Sequence, residues 1–188
     1  DRQVDVGMEI DLSFDVKEGT ITKKHSWRKT WKDEPAPNHG GGSSTVKPNR
    51  PFVPLYNALT ELGYDAFYSE SIGKVYGSNV SMGNLKKACQ DSAEGDVTIL
   101  TVGTGAGGEV EETDRRDITL TPEELDALKY LRKYAKKLVV VVYAGSAVDL
   151  SQFDQLADAV VLAGFGGQNV SQAVARVLTG AVNPSGRL

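Results

Sequence analysis

The stretch Val97 to Tyr143 decides the fold. It reads VTILTVG, then TGAGGEVEETDRRDITL, then TPEELDALKYLRKYAKK, then LVVVVY. Val97 to Val102 reads as a buried strand, and Leu138 to Tyr143 is a continuous apolar run. Apolar runs without alternation predict strands covered on both faces, as in a parallel sheet. Between them lies a helix with its own start signal. Thr121 reads as the N-cap, Pro122 as the first turn, and Glu123 and Glu124 as acids at the positive end of the helix dipole. Leu125, Leu128, Tyr130, Leu131 and Tyr134 continue the helix, and Lys136 and Lys137 close it at the negative end. Strand, helix and strand in that order form a crossover unit, the connection that parallel strands require.

The same alternation extends outward. On the C-terminal side, Ala159 to Ala163 is another covered apolar run, and Val170, Val174, Val177 and Leu178 mark a last helix closed by Gly180. On the N-terminal side, Phe52, Leu55, Tyr56, Leu59 and Leu62 have helical spacing, with Gly63 as the stop. Tyr64 to Tyr68 reads as a short strand and Asn84 to Gln90 as a helix. The predicted fold class is therefore α/β: a doubly wound, mostly parallel sheet sandwiched by helices. Residues 1 to 32 differ. Val4, Val6, Met8, Ile10, Leu12, Phe14 and Val16 alternate with polar residues, the period of a half-buried strand. After a turn at Lys17 to Thr20, Ile21 to Trp27 returns as a second strand, giving an N-terminal β-hairpin extension. Lys32 to Asn38 reads as a linker and Gly40 to Ser44 as a flexible loop. The expected organisation is an extension and linker over 1–39 and an α/β-sandwich domain over 40–188.

Composition narrows the function. Lys and Arg number 21 against 25 Asp and Glu, a net charge of −4, and that near-balance disfavours a strongly basic surface for nucleic acid. One cysteine, Cys89, excludes a disulfide framework and a cysteine zinc site. With only His25 and His39, a histidine-rich metal site is excluded too. The run Leu138 to Val142 is too short to cross a bilayer. No secretory leader is visible, and the compartment stays open.

In a doubly wound sheet, ligands bind beyond the carboxyl ends of the strands. Three loops leave those ends, over 103–119, 144–151 and 164–168, all rich in glycine and small polar residues. Gly103 to Gly108 satisfies G-x-G-x-x-G, but a dinucleotide fingerprint opens directly into a helix that receives the pyrophosphate. Here Glu109, Glu111, Glu112 and Asp114 follow at once, and no helix starts before Thr121. The acidic loop from Glu109 to Asp117, with Arg115 and Arg116, is the segment with chemical potential. A carboxylic acid there acts as a general acid if burial or like charge raises its pKa, and is otherwise a solvated acid paired with arginine.

Several stretches in order resemble glycoside hydrolase family 3: Gly41-Gly-Ser-Ser-Thr-Val-Lys-Pro48, Thr101-Val-Gly-Thr-Gly-Ala-Gly-Gly-Glu109, Asp114-Arg115 before Leu120, Val140-Val-Val-Tyr-Ala-Gly-Ser-Ala147, Ala163-Gly-Phe-Gly-Gly-Gln168, and Val177-Leu followed by Gly180-Ala-Val-Asn-Pro-Ser-Gly-Arg187. The resemblance covers about residues 40 to 188 and is to the second, α/β-sandwich domain of β-glucosidases and related exo-acting enzymes. It implies a retaining glycosidase of two domains, in which a (β/α)8 barrel supplies an aspartate nucleophile and the sandwich domain a glutamate acid/base. Such chemistry needs the two carboxyl groups about 5 Å apart, so the glutamate's loop must reach the barrel. In many members that glutamate lies in Gly-Glu-Gly-x-Asp-Arg. Gly108-Glu109 matches the start of this motif and Asp114-Arg115 its end, with two extra residues between and no second glycine. The resemblance makes Glu109 the first choice for acid/base and leaves Glu111 and Glu112 as alternatives. Asp114, Arg115 and Phe165 become candidates for binding substrate.

No Ser-Asp-Trp nucleophile strand is present, and 188 residues leave no room for a barrel. The chain therefore reads as an excised part of an enzyme, inactive by itself. Its expected partners are that barrel and an oligosaccharide or aryl β-glycoside, without metal or organic cofactor, nucleic acid or membrane. The other reading is a non-catalytic carbohydrate-binding or scaffolding module. Trp27 and Trp31 read as fastening the hairpin or stacking on a sugar, Asp149 as a helix N-cap and Cys89 as a small core residue.

Overall fold

The structure is a computed structural model that describes residues 43, 48–69, 82–104, 109, 111–112, 115–153 and 155–186. All of them lie in one compact unit, Trp31–Leu188. The predicted hairpin, its linker, the boundary at residue 39, Trp27, Trp31, Asp114 and Arg187 lie outside the described residues.

The elements follow in the order α1 (Leu55–Glu61), α2 (Met82–Glu94), β1 (Thr98–Gly103), α3 (Pro122–Tyr134), β2 (Leu138–Tyr143), β3 (Ala159–Leu162) and α4 (Val170–Leu178), with short 3-10 turns at Leu150–Gln152 and Gly167–Asn169. The three strands form a parallel sheet in the order β1-β2-β3. Thr98 pairs with Leu138 and Gly103 with Tyr143, while Val139 pairs with Ala159 and Val142 with Leu162. The central strand explains its own sequence. Leu138, Val140, Val141, Val142 and Tyr143 are all buried, because β2 has a strand on either side and covered faces above and below.

Alternation along the strands separates two faces. On one, Val141 and Tyr143 pack with Ile99 and Val161 against Leu55 of α1 and Val170, Val174 and Leu178 of α4. Ala58 and Leu59 of α1 meet Ala175 of α4 in an adjoining cluster. On the other face Leu100, Val102, Leu138, Val140 and Val142 are buried. There α3 packs on β1 and on α2, presenting Ala127, Leu128 and Leu131 at helical spacing. Helices on both faces make the doubly wound sandwich that the sequence predicts.

α3 carries the expected start: the Thr121 hydroxyl accepts the Glu124 N–H, and Glu124 accepts the Thr121 N–H, a complete capping box with Pro122 in the first turn. It ends at Tyr134, with Arg132 and Lys133 in its last turn, so Lys136 and Lys137 stand just beyond it. Cys89 is fully buried, and burial pushes its thiol up to about 11 despite the nearby charge of Lys133, consistent with a packing role.

Two expectations are corrected. Residues 64–69 are irregular rather than a strand. The Tyr64 N–H bonds back to the Leu59 carbonyl, the Thr60 hydroxyl donates to the Ala66 carbonyl, and the Tyr68 ring tilts against Tyr56 at 6.1 Å. Tyr68 thus packs against α1 rather than standing in a ladder. The run at Ala159–Leu162 is a strand but not a covered one. Among the described residues it pairs with β2 alone, and Val160 and Leu162 are 37% and 47% exposed.

Candidate functional site

The register of the strands brings the three loops to one edge. Gly103 ends β1 beside Tyr143 at the end of β2, and the Thr104 N–H continues the ladder to the Tyr143 carbonyl. The Ala163 N–H does the same toward Val142 from β3. The loop after β3 is tied in turn to the segment before α1. The Asn49 N–H donates to Gln168 Oε1, and Arg50 donates to Asn169 Oδ1 at 2.5 Å.

The acidic loop is anchored at its two ends by Glu124. This buried side chain uses Oε2 for the capping box and Oε1 to accept the Gly103 N–H at 3.1 Å. One carboxylate thus joins the strand that opens the loop to the helix that closes it. Further along, the Asp149 N–H donates to the Ile118 carbonyl, and the Leu120 N–H to Gln152 Oε1. Asp149 also caps the short turn at Leu150–Gln152 through the Ser151 N–H, as its sequence position suggests.

Glu109 points back into the protein. Its Oε2 accepts the Gly145 N–H at 2.6 Å, and its Oε1 accepts the Ser146 N–H at 3.0 Å and the Ser146 hydroxyl. Arg115 approaches the same oxygen to 3.6 Å through Nε, and donates to Ser146 Oγ at 2.8 Å and to the Ala147 carbonyl. The two side chains keep only 14% and 16% of their accessible surface. Burial alone raises the Glu109 pKa, but the bonds from Ser146 and Gly145 outweigh it and hold the carboxyl below its ordinary value.

Glu111 and Glu112 are exposed. Glu111 accepts the Ser43 N–H at 3.0 Å, and the Ser43 hydroxyl and N–H lower its pKa. Glu112 has φ +68°, the left-handed region that glycine prefers and glutamate avoids. Phe165 is half-buried and packs over Gly145. The structure therefore gathers Glu109, Arg115 and Phe165 around the turn after β2, with Glu111 and Glu112 outside it.

Gly145, Ser146 and Ser43 are site residues that sequence reasoning quoted without giving them a role. A Gly-Ser pair directly after a fully buried strand is the signal that marks the first two. Among the described residues no group of three His, Cys, Asp or Glu is placed to hold a metal, and no helix is long and apolar enough to cross a membrane.

Known proteins are similar to this chain in sequence and in fold. The periplasmic beta-glucosidase of Salmonella typhimurium is 35% identical over 104 residues, which is 55% of this chain and 14% of that protein. A probable exo-1,4-beta-xylosidase of Aspergillus fumigatus is 31% identical over 133 residues, 70% of this chain and 17% of that protein. Among solved structures, a Bifidobacterium adolescentis GH3 beta-glucosidase superposes with a TM-score of 0.72 at 24% identity, over 80% of this chain and 22% of that one. At that identity the superposition speaks for the fold alone. The chain spans less than a quarter of the length of each of these relatives. The profile of the glycosyl hydrolase family 3 C-terminal domain matches residues 24–188, nearly the whole length, and the chain belongs to that family.

Proposed function

We propose that this chain is the acid/base-bearing domain of a retaining, exo-acting β-glycosidase, a β-glucosidase by first preference, working with a (β/α)8 barrel that supplies the nucleophile. Its substrate is an oligosaccharide or aryl β-glycoside cleaved at the non-reducing end. The proposed acid/base is Glu111, in preference to Glu109. The observation that carries this is the left-handed φ of Glu112. In Gly-Glu-Gly-x-Asp-Arg, counting back from Asp114-Arg115 puts the second glycine at position 112 and the glutamate at 111. A glycine-like backbone at 112 supports that register, and places the extra residues before Glu111.

The chemistry favours the same choice. A general acid must hold a proton near the working pH and extend it to the leaving oxygen. Both carboxylate oxygens of Glu109 are taken by donors of its own chain, and the side chain faces inward. Glu111 is exposed at the carboxyl edge, where the Ser43 N–H and hydroxyl lower its pKa as well, so exposure and not the direction of the shift separates it from Glu109. Closing that edge against a barrel would remove water from Glu111 and raise its pKa, the direction a general acid needs.

The test is turnover of an unactivated disaccharide by single Glu→Gln variants of the full-length protein. Glu111→Gln should lose about 10²-fold or more, the usual size of a general acid/base contribution. Wild-type rates for Glu111→Gln would remove the assignment. A wild-type full-length protein that binds sugar and hydrolyses none would favour the carbohydrate-binding module instead. Release of the product sugar as the β-anomer, followed by NMR, tests the retaining course.

A further inference from the structure

We propose that Glu109 is a positioning residue: its carboxylate clamps the acidic loop onto the turn after β2 and so sets where Glu111 stands. The inference rests on the reading of Glu111 as acid/base.

Three observations meet here. First, the segment that contains Glu111 is tied on both sides to one turn. Glu109, two residues before it, takes the N–H groups of Gly145 and Ser146 and the Ser146 hydroxyl. Arg115, four residues after it, takes Ser146 Oγ and the Ala147 carbonyl, and its Nε faces Glu109 at 3.6 Å. The Ser146 hydroxyl donates to the acid and accepts from the arginine, so the three side chains form one closed network.

Second, the turn is shaped around the carboxylate. A Cβ at Gly145 would lie 2.6 Å from Glu109 Oε2 and 2.8 Å from the Phe165 ring. Only glycine lets the carboxylate and the ring approach together. Third, the left-handed backbone of Glu112 is unfavourable for that residue and persists where its surroundings over-determine it. The tethers at Glu109 and Arg115 on either side supply that constraint. A displacement of about 1 Å in a reacting group costs on the order of 10²-fold in rate, so a clamp two residues from the acid/base has catalytic consequences without touching substrate.

The experiment compares Glu109→Ala, Glu109→Gln and Gly145→Ala with Glu111→Ala in the full-length protein. Hydrogen exchange over residues 104–120 should speed up in Glu109→Ala and Gly145→Ala. Their kcat/KM on an unactivated glycoside should fall about 10- to 100-fold, with Glu109→Gln in between, because its amide oxygen still accepts one N–H. The pH profile of kcat/KM should keep its shape, since the titrating acid remains. Azide separates the roles. In Glu111→Ala, azide should accelerate turnover of an activated aryl glycoside: it attacks the anomeric carbon of the glycosyl-enzyme, forms the C–N bond, and releases the nucleophile carboxylate without a base. In Glu109→Ala the base is still present, and azide should not accelerate turnover.

Azide rescue of Glu109→Ala, with loss of the limb of the pH profile that reports the acid, would overturn the proposal and make Glu109 the acid/base. Unchanged loop exchange in Glu109→Ala would also overturn it. Wild-type rates in Glu111→Ala sink the acid/base reading alone, and loop exchange in Glu109→Ala and Gly145→Ala then decides the clamp by itself.

Discussion

Glu109 and Glu111 are two residues apart in sequence and opposite in environment. One is enclosed by N–H and hydroxyl donors, the other faces solvent with Ser43 beside it. This difference has a consequence for stability. An unfolded glutamate titrates at about 4.3. The folded pKa of Glu109 lies below the ordinary value, so its contribution is fully present above the unfolded pKa and is lost as pH falls through the folded one. Melting temperature should therefore fall more steeply between about pH 5 and about pH 3 in the wild type than in Glu109→Gln, which has no carboxyl to protonate. Equal slopes would mean that the carboxylate is not held as described. The acidic loop was legible as the candidate site because five acids and two arginines follow a strand end. Which acid does what was not legible. That depends on the loop turning back toward Gly145, a contact between residues 36 apart that composition does not encode.

At the scale of elements, α3 shows how far local rules reach. Thr121, Pro122 and Glu124 predict its start, and the structure has the capping box and proline where those residues put them. The sequence does not reveal that Glu124 also takes the Gly103 N–H. Thr121→Ala should cost about 1 kcal/mol, as lost caps do. Glu124→Ala should cost more, about 1–3 kcal/mol beyond the cap, because it leaves the Gly103 N–H without its acceptor at the end of β1. Urea unfolding with an unchanged m-value measures both. Strands separate along a different line. β2 and β3 look alike as sequence, yet one is central and the other lies at the edge of the described sheet. Leu138→Ala should cost about 2–5 kcal/mol, and Leu162→Ala, at 47% exposure, well under half as much. Equal losses would mean that Leu162 is covered in the protein as it works. The false strand at Tyr64 to Tyr68 has the same origin. Aromatic residues favour strands on average, but here Tyr68 has the ring of Tyr56 on α1 to pack against.

At the scale of the molecule, the alternation of strands and helices made the doubly wound sheet legible, and with it the edge where the three loops converge. The proposed function joins that edge to the barrel of a two-domain enzyme; the chain belongs to the glycosyl hydrolase family 3 C-terminal domain and spans 14% of the Salmonella typhimurium relative. In that proposal the sandwich domain would contribute proton transfer and the barrel the nucleophile. The proton is proposed to come from Glu111. The most direct measurement is the dependence of kcat/KM on leaving-group pKa, over a series of aryl glycosides, for the full-length wild type and Glu111→Gln. A shallow dependence is expected in the wild type and a steep one in the variant. Good leaving groups should be nearly unaffected, and poor ones slowed by about 10²-fold or more, because only the poor ones need the proton. Parallel lines for the two proteins, or a steepening that appears in Glu109→Gln instead, would contradict it.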